Sequence, residues 1–152
     1  MSHKSPAELR SDAAKVLEEL QSLEKIRNKD RLALPQQDMP SQDPVARGQN
    51  MYEVTYGYFE EQAKVEAERC LQCRNAPCVK GCPVRIDIPR FIKHISEGDY
   101  EGSLAVIKET SLLPSICGRV CPQENQCQEY CAGGKSLKDK FKSVSIGRLE
   151  RF

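Results

Sequence analysis

Apolar positions along this chain recur mostly three and four residues apart. No segment shows the alternating pattern of a half-buried strand. The first stripe is Leu9, Ala13, Val16, Leu20 and Leu23. Ser5-Pro6-Ala7-Glu8 ahead of it supplies a capping Ser, a Pro in the first turn and a Glu three residues after the cap. A helix is predicted from there to about residue 28, packing its apolar face on its own domain. Residues 31–49 read as a linker, with Pro35, Pro40 and Pro44 set among Gln, Asp and Ser. Within it, Asp43-Pro44 is suited to cap a short helix holding Val45, Met51 and Val54. Residues 60–69 are rich in helix formers and carry Ala63 and Ala67 on one side. Asp87 precedes a further helical stretch in which Phe91, Ile92 and Ile95 mark a buried face ending at Gly98. Asp99 caps the next, with Leu104, Ala105, Ile107 and Lys108 ahead of a break at Pro114. The expected fold class is all-α, with loops wrapped around metal.

Composition changes this picture in one respect. Hydrophobic residues make up 39% and charged residues 30% of 152 residues, so one modest core is expected, in need of additional staples. The formal charge of +1 gives no strong pull toward nucleic acid or an anionic membrane. No stretch reaches the apolar length of a membrane span, and the polar start carries no secretory signal, so a cytoplasmic location is expected.

In that compartment eight Cys point to metal or redox chemistry more than to disulfides. All eight fall between Cys70 and Cys131. The chain therefore divides into an N-terminal helical arm and linker, residues 1–50, and a Cys-rich unit, residues 51–152. The first group is Cys70-x2-Cys73-x4-Cys78-x3-Cys82-Pro83, and the second is Cys117-x3-Cys121-Pro122-x4-Cys127-x3-Cys131. Cubane clusters take soft thiolates, several from one tight loop, and a last Cys followed by Pro is a ferredoxin hallmark in which that Cys serves the other cluster. Zinc also accepts four thiolates, usually from two short Cys pairs, but only Cys70-x2-Cys73 has that spacing. His3 and His94 stand alone and are left out of the site.

The stretches Ala67-Glu68-Arg69-Cys70-Leu71-Gln72-Cys73, Pro77-Cys78-Val79-Lys80-Gly81-Cys82-Pro83, Cys117-Gly118-Arg119-Val120-Cys121-Pro122-Gln123-Glu124 and Ile146-Gly147-Arg148-Leu149-Glu150-Arg151-Phe152 carry a family resemblance. They are similar to the N-terminal iron–sulfur domain of the glutamate synthase small subunit family. Dihydropyrimidine dehydrogenase and the NADH-dependent ferredoxin:NADP oxidoreductases carry the same domain. The linker Asp38-Met39-Pro40-Ser41-Gln42-Asp43-Pro44 resembles the version with a long N-terminal arm. The resemblance implies an alpha-helical ferredoxin-like domain with two [4Fe-4S] clusters. It also implies a ligand set. Cluster 1 would take Cys70, Cys73, Cys78 and Cys131; cluster 2 would take Cys82, Cys121, Cys127 and, in place of a fourth thiolate, Glu150. Cys117 is then a neighbour. Ligand softness alone favours the rival set of four cysteines each, Cys117 included.

The function implied is electron transfer between a flavin and a second redox subunit, as part of an oligomeric NADPH-dependent oxidoreductase of glutamate synthase type. FAD and NADPH would sit in a C-terminal part of the family that this chain would not include, since it holds no G-x-G-x-x-G fingerprint. Catalysis by this chain alone is not expected, nor a nucleic-acid or membrane partner. Lys135, Lys138, Lys140 and Lys142 in the segment 132–145 are read as solvating a loop. The second reading of function is a zinc-stabilised protein-interaction module whose N-terminal helix docks a partner.

Overall fold

Helix α1, Pro6–Gln21, begins where the capping signal put it. In the computed structural model, which describes residues 4–152, the Ser5 hydroxyl accepts the Glu8 amide (3.3 Å) and the Glu8 carboxylate accepts the Ser5 amide (2.8 Å). Residues 1–3, His3 among them, lie outside the described residues. The helix ends earlier than its apolar stripe suggested: Ser22 closes it, and Leu23 is 47% exposed. Ala13 and Leu20 are its buried positions, and they face α3 (Glu60–Glu68).

The linker is more ordered than its prolines suggested. Asn28–Ala33 forms a short helix, α2, because Asp30 turns back to accept the Arg27 amide (3.0 Å). Asp43 does cap the chain after it, accepting the amides of Val45 and Ala46. The result is only a 3-10 turn, Ala46–Gln49, and Met51 and Val54 lie outside it in exposed positions. An isolated antiparallel bridge, Ser41 to Thr55, closes this loop instead. Its interior is filled by the Gln42 side chain, which donates to the carbonyls of Tyr52 and Glu53.

The core is organised by α5, Ile88–Glu97. Asp87 caps it by accepting the Arg90 amide, and Gly98 ends it in the left-handed conformation (φ 80°) that glycine adopts without penalty. Ile88, Phe91, Ile92 and Ile95 are buried along one face, packed between α3 and α6, Tyr100–Lys108. In α6 the buried residues are Ser103, Val106 and Ile107; Leu104 points outward, 45% exposed. Pro114, expected to be a break, is the first residue of α7, Pro114–Val120, where its missing amide is no loss. Between α3 and α5 lies α4, Pro77–Gly81; after α7 come α8, Ala132–Ser136, and α9, Ile146–Arg151. Among the described residues the structure is helical, with no strand, and no helix is long and apolar enough to cross a membrane.

Candidate metal centre

The first cysteine loop leaves α3 at Arg69, with the Cys70 amide bonded to the Ala67 carbonyl (3.0 Å). It then turns sharply, with Gln72 at φ 49° and Ala76 at φ 27°. Left-handed backbone at non-glycine residues costs on the order of 1–3 kcal/mol each and persists only where the surroundings enforce it. These turns place Cys70 and Cys73 before α4 and Cys78 within it. Cys131 arrives from the other end of the unit, as the residue that opens α8.

Cys70, Cys73, Cys78 and Cys131 line a common cavity, walled by apolar side chains including Ile88, Ile92, Val144 and Ile146. All eight cysteines are unbridged. Burial pushes the Cys70 thiol up to about 11 and the Cys78 thiol up to about 12. In both, neighbouring cysteines including Cys131 add to the rise, since each thiolate would repel the next. Such a site holds neutral thiols until a cation offsets their charge.

The second group forms where α7 crosses α9. A Cβ on Gly118 would lie 2.7 Å from the Arg151 amide nitrogen, so only glycine lets the two helices approach so closely. That contact sets Glu150 of α9 beside Cys121, which ends α7. Cys127 and Cys82 complete the neighbourhood. The Cys127 thiol is driven up to about 12, first by burial and then by Cys82 and Glu150. The Cys121 thiol is raised by burial, then by Cys117, Glu150 and Cys82. Glu150 itself is raised to about 7 by burial, and its Oε1 is buried with no hydrogen-bond partner. A buried, unpartnered carboxylate oxygen among soft donors suits a metal ligand, because a cation would meet the need that no protein donor meets.

The donor chemistry of both groups fits iron–sulfur clusters. Four thiols surrounding a cavity suit a polynuclear core better than one zinc held at about 2.3 Å by every sulfur. Cys117 stands apart from the first group, beside Cys121 and 3.9 Å from the Ser111 hydroxyl. His94 is engaged elsewhere, with Nδ1 2.8 Å from Asp99.

Sequence reasoning missed the residues that brace the first loop. Arg31 donates to the carbonyls of Glu68 (2.7 Å) and Cys70 (3.2 Å), so the linker holds the loop directly. Arg69 is 5% exposed and pairs with Glu66, itself fully buried, while also donating to the carbonyls of Leu34, Lys142 and Ser143. The only local hint was the i,i+3 spacing of Glu66 and Arg69.

Residues 47–152 match the family described as dihydropyrimidine dehydrogenase domain II, 4Fe-4S cluster. The small chain of NADPH glutamate synthase from Escherichia coli is 37% identical over 115 residues, 76% of this chain and 24% of that protein. The putative oxidoreductase UacF from Escherichia coli is 41% identical over 101 residues, 66% of this chain and 15% of its own length. The PreT subunit of NAD-dependent dihydropyrimidine dehydrogenase from Salmonella typhimurium is 40% identical over 100 residues, 66% of this chain and 23% of its length. The chain thus spans about a quarter or less of these relatives.

Proposed function

Because the chain belongs to the dihydropyrimidine dehydrogenase domain II, 4Fe-4S cluster family, we propose that it carries electrons through two [4Fe-4S] clusters. It would do so as a module of a flavin- and NADPH-linked oxidoreductase of the glutamate synthase type. Cys70, Cys73, Cys78 and Cys131 hold the first cluster; Cys82, Cys121, Cys127 and Glu150 hold the second. FAD and NADPH bind to a flavin/NADPH domain or subunit of that oxidoreductase, outside residues 1–152.

The observation that carries the reading is the pairing of two unlike donor groups. One is a cavity lined by four unbridged cysteines; the other brings Cys121 and Cys127 beside both Cys82 and Glu150, with Cys117 next to Cys121, and the buried Glu150 Oε1 has no hydrogen-bond partner among the described residues. When bound, each cluster supplies a centre that gains or loses one electron. The residues of this chain hold it, keep water from its apolar side and set its charge. An oxygen-carboxylate donor in place of sulfur makes the second centre chemically distinct from the first.

The deciding experiment is analysis of oxygen-free protein for iron and acid-labile sulfide. About eight of each per chain are expected, the content of two four-iron cores. A colourless, folded protein containing zinc in their place would overturn the proposal.

A further inference from the structure

Beside the all-thiol group, the chain that follows Cys131 builds a face of different character. Lys135, Lys138 and Lys140 surround a shallow depression whose floor includes Cys131. Lys142 is exposed on the 3-10 turn Lys140–Lys142, and exposed Lys80 sits at the edge next to Gly81, against which Tyr130 packs. Two carboxylates, Glu129 and Asp139, line the depression with Lys135, Lys138 and Lys140. Glu129 is 3.4 Å from Lys140, and Asp139 is occupied in accepting the Phe141 amide.

Two aromatic rings open to solvent within this basic face: Phe141 is 71% exposed and Tyr130 44%. Lys140 Nζ lies 5.5 Å from the centre of the Phe141 ring, and Lys135 Nζ lies 5.5 Å from that of Tyr130. Exposed aromatic anchors with charges around them have the make-up of a protein–protein contact.

We propose that this face docks an acidic surface on a redox protein that exchanges electrons with the Cys70–Cys131 centre. The inference rests on the two-cluster reading above. The lysines steer the partner by charge, and Phe141 and Tyr130 lose their exposed area to it. Docking there brings the partner to the side of the molecule where Cys131 lines the depression.

The test uses the whole iron-loaded chain, photochemically reduced, with oxidised plastocyanin as an acidic copper-protein probe. One electron leaves the iron–sulfur centre, and copper(II) becomes copper(I). A variant with Lys135→Glu, Lys138→Glu, Lys140→Glu and Lys142→Glu should react about tenfold or more slowly at low salt. The unaltered chain should slow as salt is added, and the variant should not. Neutral benzoquinone should oxidise both within twofold of the same rate. The dissociation constant of the oxidised chain for plastocyanin, which needs no reduction, should rise by about tenfold in the variant. The same four lysines changed to Ala serve if charge reversal prevents folding.

Unchanged rates and affinity in an iron-loaded variant would overturn this inference and leave the two-cluster reading intact. So would an equal loss of rate with benzoquinone, since the lysines would then act on the centre itself. Tighter binding of a mixed-sequence oligonucleotide than of plastocyanin would reassign the face to nucleic acid. A chain free of iron would remove both readings.

Discussion

The Glu66 carboxylate, fully buried in α3, gathers three donors: the amides of Gln37 and Ser145, each at 2.8 Å, and the Arg69 guanidinium at 2.5 Å. One side chain therefore ties the linker, the first cysteine loop and the segment leading into α9. Removing one member of a buried ion pair leaves the other charged and unpartnered, at a cost of about 3–5 kcal/mol. Arg69→Met is expected to destabilise the iron-loaded protein by that amount, measured by denaturant unfolding. The proposed roles of the second-group donors can be tested at this scale too. Cys121→Ser and Glu150→Ala should each lose about four irons, while Cys117→Ser should keep about eight, by iron analysis. Loss of four irons from Cys117→Ser would assign the fourth ligand to sulfur and remove Glu150 from the site.

At the scale of elements, the crossing of α7 on α9 has no slack. A Cβ at Gly118 would meet the Arg151 amide nitrogen at 2.7 Å and its Cα at 2.9 Å, both backbone atoms that cannot swing aside. Gly118→Ala should therefore cost about 1–3 kcal/mol and push Glu150 away from Cys121. Melting temperature and iron content should fall together. Gly48→Ala, with nothing within 4 Å of the added methyl, should change neither. The contrast between helices explains what could be read in advance. The starts of α1, α5 and α6 lie in capping side chains at Ser5, Asp87 and Asp99, and those signals act over three residues. The Gly118 crossing, the burial of Glu66 and the outward turn of Leu104 depend on partners distant in sequence, and no local pattern encodes them. Met51 and Val54 show the converse, apolar residues with no face to bury against. The two cysteine groups were legible because ligand spacing is itself local. How they combine across 61 residues, from Cys70 to Cys131, was available only through the family resemblance.

For the whole molecule, the core and the donor groups are one structure. Cys70, Cys127 and Cys131 are buried in the same cluster as Phe91, Ile92 and Leu149. Thiols raised toward 11 and 12 by burial resist ionising unless a metal compensates them. Loss of the metal therefore leaves a core with cavities and polar atoms in place of bonds, and binding energy becomes folding energy. Stripping iron with a chelator under reducing conditions should abolish the cooperative unfolding transition in calorimetry. A metal-free chain that still melted cooperatively at the original temperature would show that the helices hold without it.

Cys131 lies with the first loop's cysteines, and Cys82 lies with the second's. During synthesis the ribosome delivers these partners in the wrong order for piecemeal loading. A nascent chain that has emerged only through Cys82 offers three thiols of one site and a single thiol of the other. With the ligand sets proposed above, iron insertion would wait until translation has passed Cys131 and, for the second site, Glu150. Chains arrested on the ribosome before Cys131 should bind no stable cluster, so maturation is tied to the emergence of Cys131 rather than to that of the first loop.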